Sequence, residues 1–321
     1  MFYEKDGKLF FRRRGETVCI FGQGVNGLRV RATMNENFAD TDWAIEGVAV
    51  PSEIKIGTDA SITNGKISAS VTPLGQIRFF KDGKCVLEEY YRHYEYDSPH
   101  TPSLRILARE FKGIRGGAHT LTVRFESNDG EKIYGMGQYQ QPYLDLKGCS
   151  LELAQRNSQV SVPFALSSLG YGFLWNNPAV GRVTFGKNLT EWRAECVRQC
   201  DYWITADDTP KKILKNYTGI VGRAPEFPEN AMGLWQCKLR YRTQEEVLEV
   251  AREYHRRNIP LDVIVIDFFH WTRQGDWRFD EKYWPDPAAD MHPKSWTDFW
   301  RCIFSCQEER SLTQSTRQNS R

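Results

Sequence analysis

Hydrophobic and polar positions change their rhythm near residue 225 of this chain. Before that point, short runs alternate apolar with polar residues, and turn formers interrupt them. Leu28-Arg29-Val30-Arg31-Ala32 and Leu121-Thr122-Val123-Arg124-Phe125 have the period of half-buried strands. Asn64-Gly65 and Asp82-Gly83 each sit between two strand-like runs, and both dipeptides tolerate the positive φ of a two-residue hairpin turn. Asn128-Asp129-Gly130 supplies another turn. Many short strands with frequent turns predict a β-sandwich over residues 1–225. The stretch Lys211–Tyr217 reads as a short helix, and Gly222–Pro228, with two prolines, as a linker.

Beyond the linker the pattern is that of a strand–helix–strand unit. Met232–Cys237 is a strand candidate. Thr243 with Glu246 three residues on forms a capping box. Val247, Val250, Ala251 and Tyr254 then recur at helical spacing, with Leu248 widening the face. Asn258 and Pro260 close the helix. Leu261–Ile266 is an almost unbroken apolar run, as in strands buried on both faces of a parallel sheet. From Met291 the pattern fails: Ser295–Phe304 reads as part of a helix, and Ser311–Arg321, with one apolar residue, as disordered. The expected organisation is multi-domain, β plus α/β: a sandwich over 1–225, the βαβ start of a barrel over 226–290, and an aberrant or disordered tail over 291–321.

Composition narrows the classes. A net charge of +2 leaves no field for nucleic acid or an anionic membrane. No apolar run reaches the roughly 20 residues of a membrane helix, and Met1–Asp6 has early acids where a secretory leader would be apolar. Cys196/Cys200 and Cys302/Cys306 are spaced C-x3-C without partners at zinc-ribbon spacing, so neither a metal nor another cofactor is expected. The eight scattered cysteines read as free, buried thiols in a reducing compartment, the cytoplasm. Five of the ten tryptophans fall between Trp271 and Trp300. Such rings usually belong to a core, but a cluster after a buried strand also suits the apolar C–H face of a sugar.

Asp267 follows the apolar run directly. In a parallel barrel the functional side chains sit at the C-terminal ends of strands. There Asp267 is placed to hold a sugar hydroxyl, or equally to cap the following loop or pair with an arginine. Residues 233–243 (GLWQCKLRYRT) and 258–287 (NIPLDVIVIDFFHWTRQGDWRFDEKYWPDP) resemble the opening of the catalytic barrel of glycoside hydrolase family 31, the retaining α-glycosidases. Upstream, LRVRAT (28–33), IYGMGQ (133–138) and VPFALSSLGYGFLWNNP (162–178) resemble that family's N-terminal sandwich, of the galactose-mutarotase-like kind. GLWQCK and DFFHW lie nearest its α-xylosidase branch.

The resemblance implies an α-linked oligosaccharide or glycoside as ligand. Asp267 would bind hydroxyls of the sugar in the −1 subsite, Phe268 and Phe269 would shape the pocket, and Trp271 would line it. Lys238 and Arg240 would lie near the rim. Arg156 and Asn157 would reach over the barrel mouth from the sandwich, or form a solvated turn. Trp277, Trp284, Pro285 and Pro287 are expected to be structural. Homo-oligomerisation is left open for the full-length enzyme.

Retaining cleavage needs two carboxylates about 5–5.5 Å apart. The family's nucleophile pattern, Trp-x-Asp-Met-x-Glu, does not occur in this sequence, and Asp276, Asp280 and Asp286 receive no catalytic role. A complete eight-stranded barrel takes about 250 residues. The expectation is therefore a truncated or frame-shifted product with two barrel strands, lacking nucleophile and acid/base. Two alternatives are a non-catalytic carbohydrate-binding or interaction protein, and a mutarotase-like enzyme. For the latter, His93, His100 and His119 have no motif-like placement.

Overall fold

A computed structural model describes residues 1–39, 44–92, 106–267, 270–287 and 301–304. The chain divides into two compact units, Met1–Arg223 and Ala224–Arg321. In the first unit a nine-stranded antiparallel sheet runs in the order Phe2–Lys5, Lys8–Arg13, Glu16–Gln23, Gly27–Thr33, Cys200–Ala206, Tyr171–Trp175, Val160–Ser167 and Ile133–Gln138, with Ala49–Val50 beside Glu16–Gln23. A five-stranded meander from Glu53–Ile56 to Lys84–Glu88 and a second five-stranded sheet centred on His119–Glu126 and Leu189–Val197 pack on the same core. A bridge between Glu89 and Phe125 joins these two smaller sheets edge to edge.

Alternation explains most strands. Ile67, Ala69 and Val71 point inward while Ser68 and Ser70 are half-exposed. Tyr171–Trp175 and Cys200–Ala206 are instead buried at every position. Their second face is covered by the helix Pro210–Val221, whose Ile213 and Ile220 pack on Phe164, Leu174 and Trp203. Thr209 caps that helix by accepting from the Lys212 N–H, and Pro210 opens it where no donor is needed. Between the layers, Phe173 stacks on Tyr202 with ring centres 4.9 Å apart, and Trp175 stacks on Trp192 at 5.7 Å.

Several expectations change. The first hairpin forms, but Asn64 pairs with Ile67, so the turn residues are Gly65 and Lys66, with φ +60° at Gly65. Asn64 instead donates its amide to the carbonyls of Gly24 and Gly27. The Asp82-Gly83 turn forms as read, with positive φ at both residues. Arg29, a polar position in an alternating strand, is only 2% exposed. Of the described cysteines, Cys19 and Cys200 are buried, whereas Cys85, Cys196 and Cys237 are exposed, so burial of the thiols holds only in part. Burial pushes the Cys19 thiol up to about 12. His119 packs edge-on against Phe111, while His93 and His100 lie outside the described residues.

Arg29 is buried because it is neutralised. Its Nε and Nη2 donate to Asp201 at 2.8 and 2.6 Å, and Arg31 Nε donates to the same carboxylate at 3.1 Å. A second buried cation, Arg109, is gripped by Glu89 and Glu16 and donates to the Gly75 carbonyl. Burial raises Glu89 above the usual carboxylate range even though Arg109 opposes it.

In the second unit, strand Trp235–Lys238 runs parallel to Val263–Ile266, and the helix Gln244–Arg256 crosses between them. Arg301–Phe304 is a third strand, parallel to Val263–Ile266 on its other side. This corrects the expectation that no third strand follows and that residues up to 304 are helical; the remainder of 288–321 lies outside the described residues.

Arg29→Met should destabilise the first unit by about 3 kcal/mol, the lower end for a broken buried pair, because Arg31 still faces Asp201. Urea unfolding followed by tryptophan fluorescence measures this. A cost under about 1 kcal/mol would show that the buried pair holds little of the sheet's stability.

Candidate functional site

The second unit gathers its chemistry where its parallel strands end. Tyr241, Val247, Ile264, Ile266 and Trp284 form its small apolar core, with Val250 and Phe279 packed against it. The crossover helix is fixed at both ends. Thr243 accepts from the Glu246 N–H at 3.2 Å, while the Glu246 carboxylate reaches back to the Arg242 N–H and to Lys238 Nζ, both at 2.6 Å. At the other end Asn258 adopts φ +53°, and the N–H groups of Asn258 and Ile259 close on the carbonyls of His255 and Tyr254. That is a Schellman cap with asparagine in the glycine position.

Two features set the strand register. Leu234 and Asp262 immediately precede the two strands, and the Asp262 carboxylate accepts the Leu234 N–H at 3.2 Å. A Cβ on Gly233 would overlap that carboxylate, so any side chain there would have to displace it from the Leu234 N–H. Gln236 of the first strand, half-buried, accepts from the Tyr254 hydroxyl of the helix at 2.6 Å and donates to the Tyr241 oxygen at 3.1 Å.

Asp267, half-buried, is the first residue after Val263–Ile266. Its carbonyl accepts from His270 Nδ1 at 2.8 Å, which puts the imidazole proton on that nitrogen. His270 is fully buried, and its ring lies 4.6 Å from Phe279, 5.8 Å from Trp271 and 6.4 Å from Trp284. The His270 carbonyl in turn accepts the Asp280 N–H at 2.9 Å. The loop therefore folds back on the end of its own strand through one buried imidazole. The helix also holds it: Gln244 donates its N–H to the Tyr283 carbonyl, and its side-chain amide exchanges hydrogen bonds with Asp286 at 2.9 and 3.1 Å.

Trp271 bridges to Phe279 and is half-buried. Trp284 is core, as expected of the W-P-D-P turn, whereas Trp277 of the same loop is 52% exposed. Lys238, Arg240, Arg242 and Glu246 line a shallow depression in the loop after the first strand. Phe268 and Phe269 lie outside the described residues. Arg156 and Asn157 belong to the first unit. They form an exposed turn in which Arg156 pairs with Glu152 and Asn157 accepts from Ser158. Sequence reading missed His270, Gln244 and the Gly233–Asp262 pair. A histidine between two aromatics after a buried strand was the one available signal, since contacts 28 and 42 residues apart leave no local pattern.

Residues 224–302 match the sequence profile of the "Glycosyl hydrolases family 31 TIM-barrel domain". The chain is 52% identical over 281 residues to an uncharacterized family 31 glucosidase (ORF2) of Pseudescherichia vulneris, a match covering 83% of this chain and 53% of that protein. It is 38% identical over 180 residues to an α-xylosidase of Saccharolobus solfataricus, covering 53% of this chain and 25% of that one. Among solved structures, a family 31 α-xylosidase from a soil metagenome, complexed with xylose, superposes with a TM-score of 0.83 at 46% identity, over 98% of this chain and 49% of that one. The chain thus spans about half the length of the first of these relatives and of the solved enzyme.

Two outcomes follow from the geometry. Gly233→Ala should cost the roughly 1 kcal/mol of the Asp262–Leu234 hydrogen bond that it displaces, and should add little to the cost of Asp262→Ala in the same chain. Additive costs in thermal unfolding would refute this coupling. The Asp276 carboxylate, held below its ordinary 3.8 first by the Thr272 hydroxyl and then by the Arg278 N–H, steadies the loop. Because its folded value is depressed, its contribution is present above 3.8 and is lost as pH falls through the lower folded value. Acid titration of tryptophan fluorescence should show a step below 3.8 that is absent in Asp276→Ala.

Proposed function

Because residues 224–302 are family 31 barrel sequence and the chain is a relative of that family's α-xylosidases, we propose that its second unit binds the sugar of an α-xyloside or α-glucoside. The supporting observation is the placement of Asp267, at the C-terminal end of the middle strand of a parallel sheet and four residues before Trp271. The carboxylate accepts from the sugar's hydroxyls, and such charge-assisted bonds are among the stronger ones. His270 sets the backbone from which that carboxylate projects. Arg240, from the loop after the first strand, stands at the rim of the site.

Bond cleavage requires a nucleophile and an acid, both carboxylic. The Asp276 carboxylate accepts from the Thr272 hydroxyl and the Arg278 N–H, and the Asp280 carboxylate from the Lys282 N–H, and we assign neither to these roles. The contribution of the second unit is retention of the sugar. The six described cysteines are free thiols, which supports a reducing, cytoplasmic setting.

Calorimetry of the purified chain with xylose and glucose should detect binding that Asp267→Ala weakens about tenfold or more. The substitution leaves the carbonyl that anchors His270 in place, so the loop should keep its fold. Aryl α-xyloside and aryl α-glucoside should release no aryl alcohol. Absence of binding would refute the sugar site, and release abolished by Asp267→Ala would refute retention without turnover.

A further inference from the structure

Trp277 is costly where it stands. It adopts φ +57°, a region that bulky L-residues seldom enter, and it follows Gly275 at φ +82°. The conformation is held by Asp276, whose carboxylate accepts from the Thr272 hydroxyl and the Arg278 N–H. The core does not explain it. Trp277 is 52% exposed, whereas Phe279 and Trp284 of the same loop fill the apolar centre of the unit. What the strained turn achieves is to lay the Trp277 indole on Trp271, with ring centres 4.6 Å apart and planes 51° apart. Trp271 is the half-buried inner ring, four residues beyond Asp267, and Trp277 is the outer one.

We infer that Trp277 is the platform for the second sugar unit of the ligand, the one on the leaving-group side of the α-linkage. The inference rests on the reading that Asp267 holds the first sugar. A pyranose presents an apolar C–H face that packs on an indole, and the tilt between Trp271 and Trp277 gives two consecutive rings two differently oriented walls. The ligand class is thereby an α-linked disaccharide or longer, with the reducing-side sugar over Trp277. Strain at this residue persists because the turn is fixed from both sides: by Asp276 within the loop, and by Gln244, which fastens residues 283–286 to the crossover helix.

The test compares Trp277→Gly and Trp277→Phe with the parent chain, using xylose, an α-linked xylosyl-glucose disaccharide, glucose and maltose in calorimetry, and thermal unfolding in parallel. The parent should bind each disaccharide about tenfold more tightly than its monosaccharide. Trp277→Gly should abolish that preference, leave monosaccharide affinity unchanged, and keep or raise the melting temperature, because glycine accepts φ +57° without strain. Trp277→Phe should retain most of the preference. Equal binding of monosaccharide and disaccharide by the parent, or a preference that survives Trp277→Gly, would overturn the inference while leaving the Asp267 site standing. A clear drop in melting temperature in Trp277→Gly with unchanged disaccharide preference would assign the residue to structure. Failure of the parent to bind any of the four sugars would remove the Asp267 reading and this inference with it.

Discussion

The largest sheet of this protein depends on one seam. Strand Gly27–Thr33 pairs with Cys200–Ala206, so residues 168 to 178 positions apart close the nine-stranded layer. Long-range antiparallel pairing repays its closure entropy only when it completes a core. Here the seam carries a carboxylate, Asp201, between two guanidinium groups. A buried ion pair is a poor source of net stability, but a one-residue slip would strand Asp201 among apolar neighbours. The pair therefore specifies register. The strands outward from it and the helix Pro210–Val221 inherit that register, and this helix leads into the linker and the second unit.

Within the second unit the same logic operates at smaller scale. Its apolar core is small, and polar contacts do much of the positioning. His270 ties the loop to the strand end, Gln244 ties it to the helix, and the helix is capped at both ends by side chains or an αL asparagine. Each contact satisfies backbone groups that would otherwise face solvent or an unpaired partner. The loop after the middle strand thereby has defined anchor points at Asp267, His270, Asp280 and Tyr283.

Much of this was legible in the sequence where the signal was local. The capping box at Thr243, the αL position at Asn258, the Asp82-Gly83 turn and the buried run ending at Ile266 each depend on a few neighbouring residues. The misreadings share a cause, which is distance along the chain. Arg29 looks like a solvent position because its partner is 172 residues away. Asn64 looks like a turn residue because the carbonyls it serves belong to another hairpin. The strand Arg301–Phe304 has too short an apolar run to announce itself, and only pairing with Val263–Ile266 reveals it.

The contact between Gly233 and Asp262 carries an evolutionary corollary. A side chain at 233 and a carboxylate at 262 compete for the same space, and the carboxylate is what secures the Leu234 amide. Among descendants of this sequence, the two positions should therefore drift as a couple. Where the glycine is replaced, the aspartate has lost its reason to remain, and another means of aligning the first two strands must already have arisen.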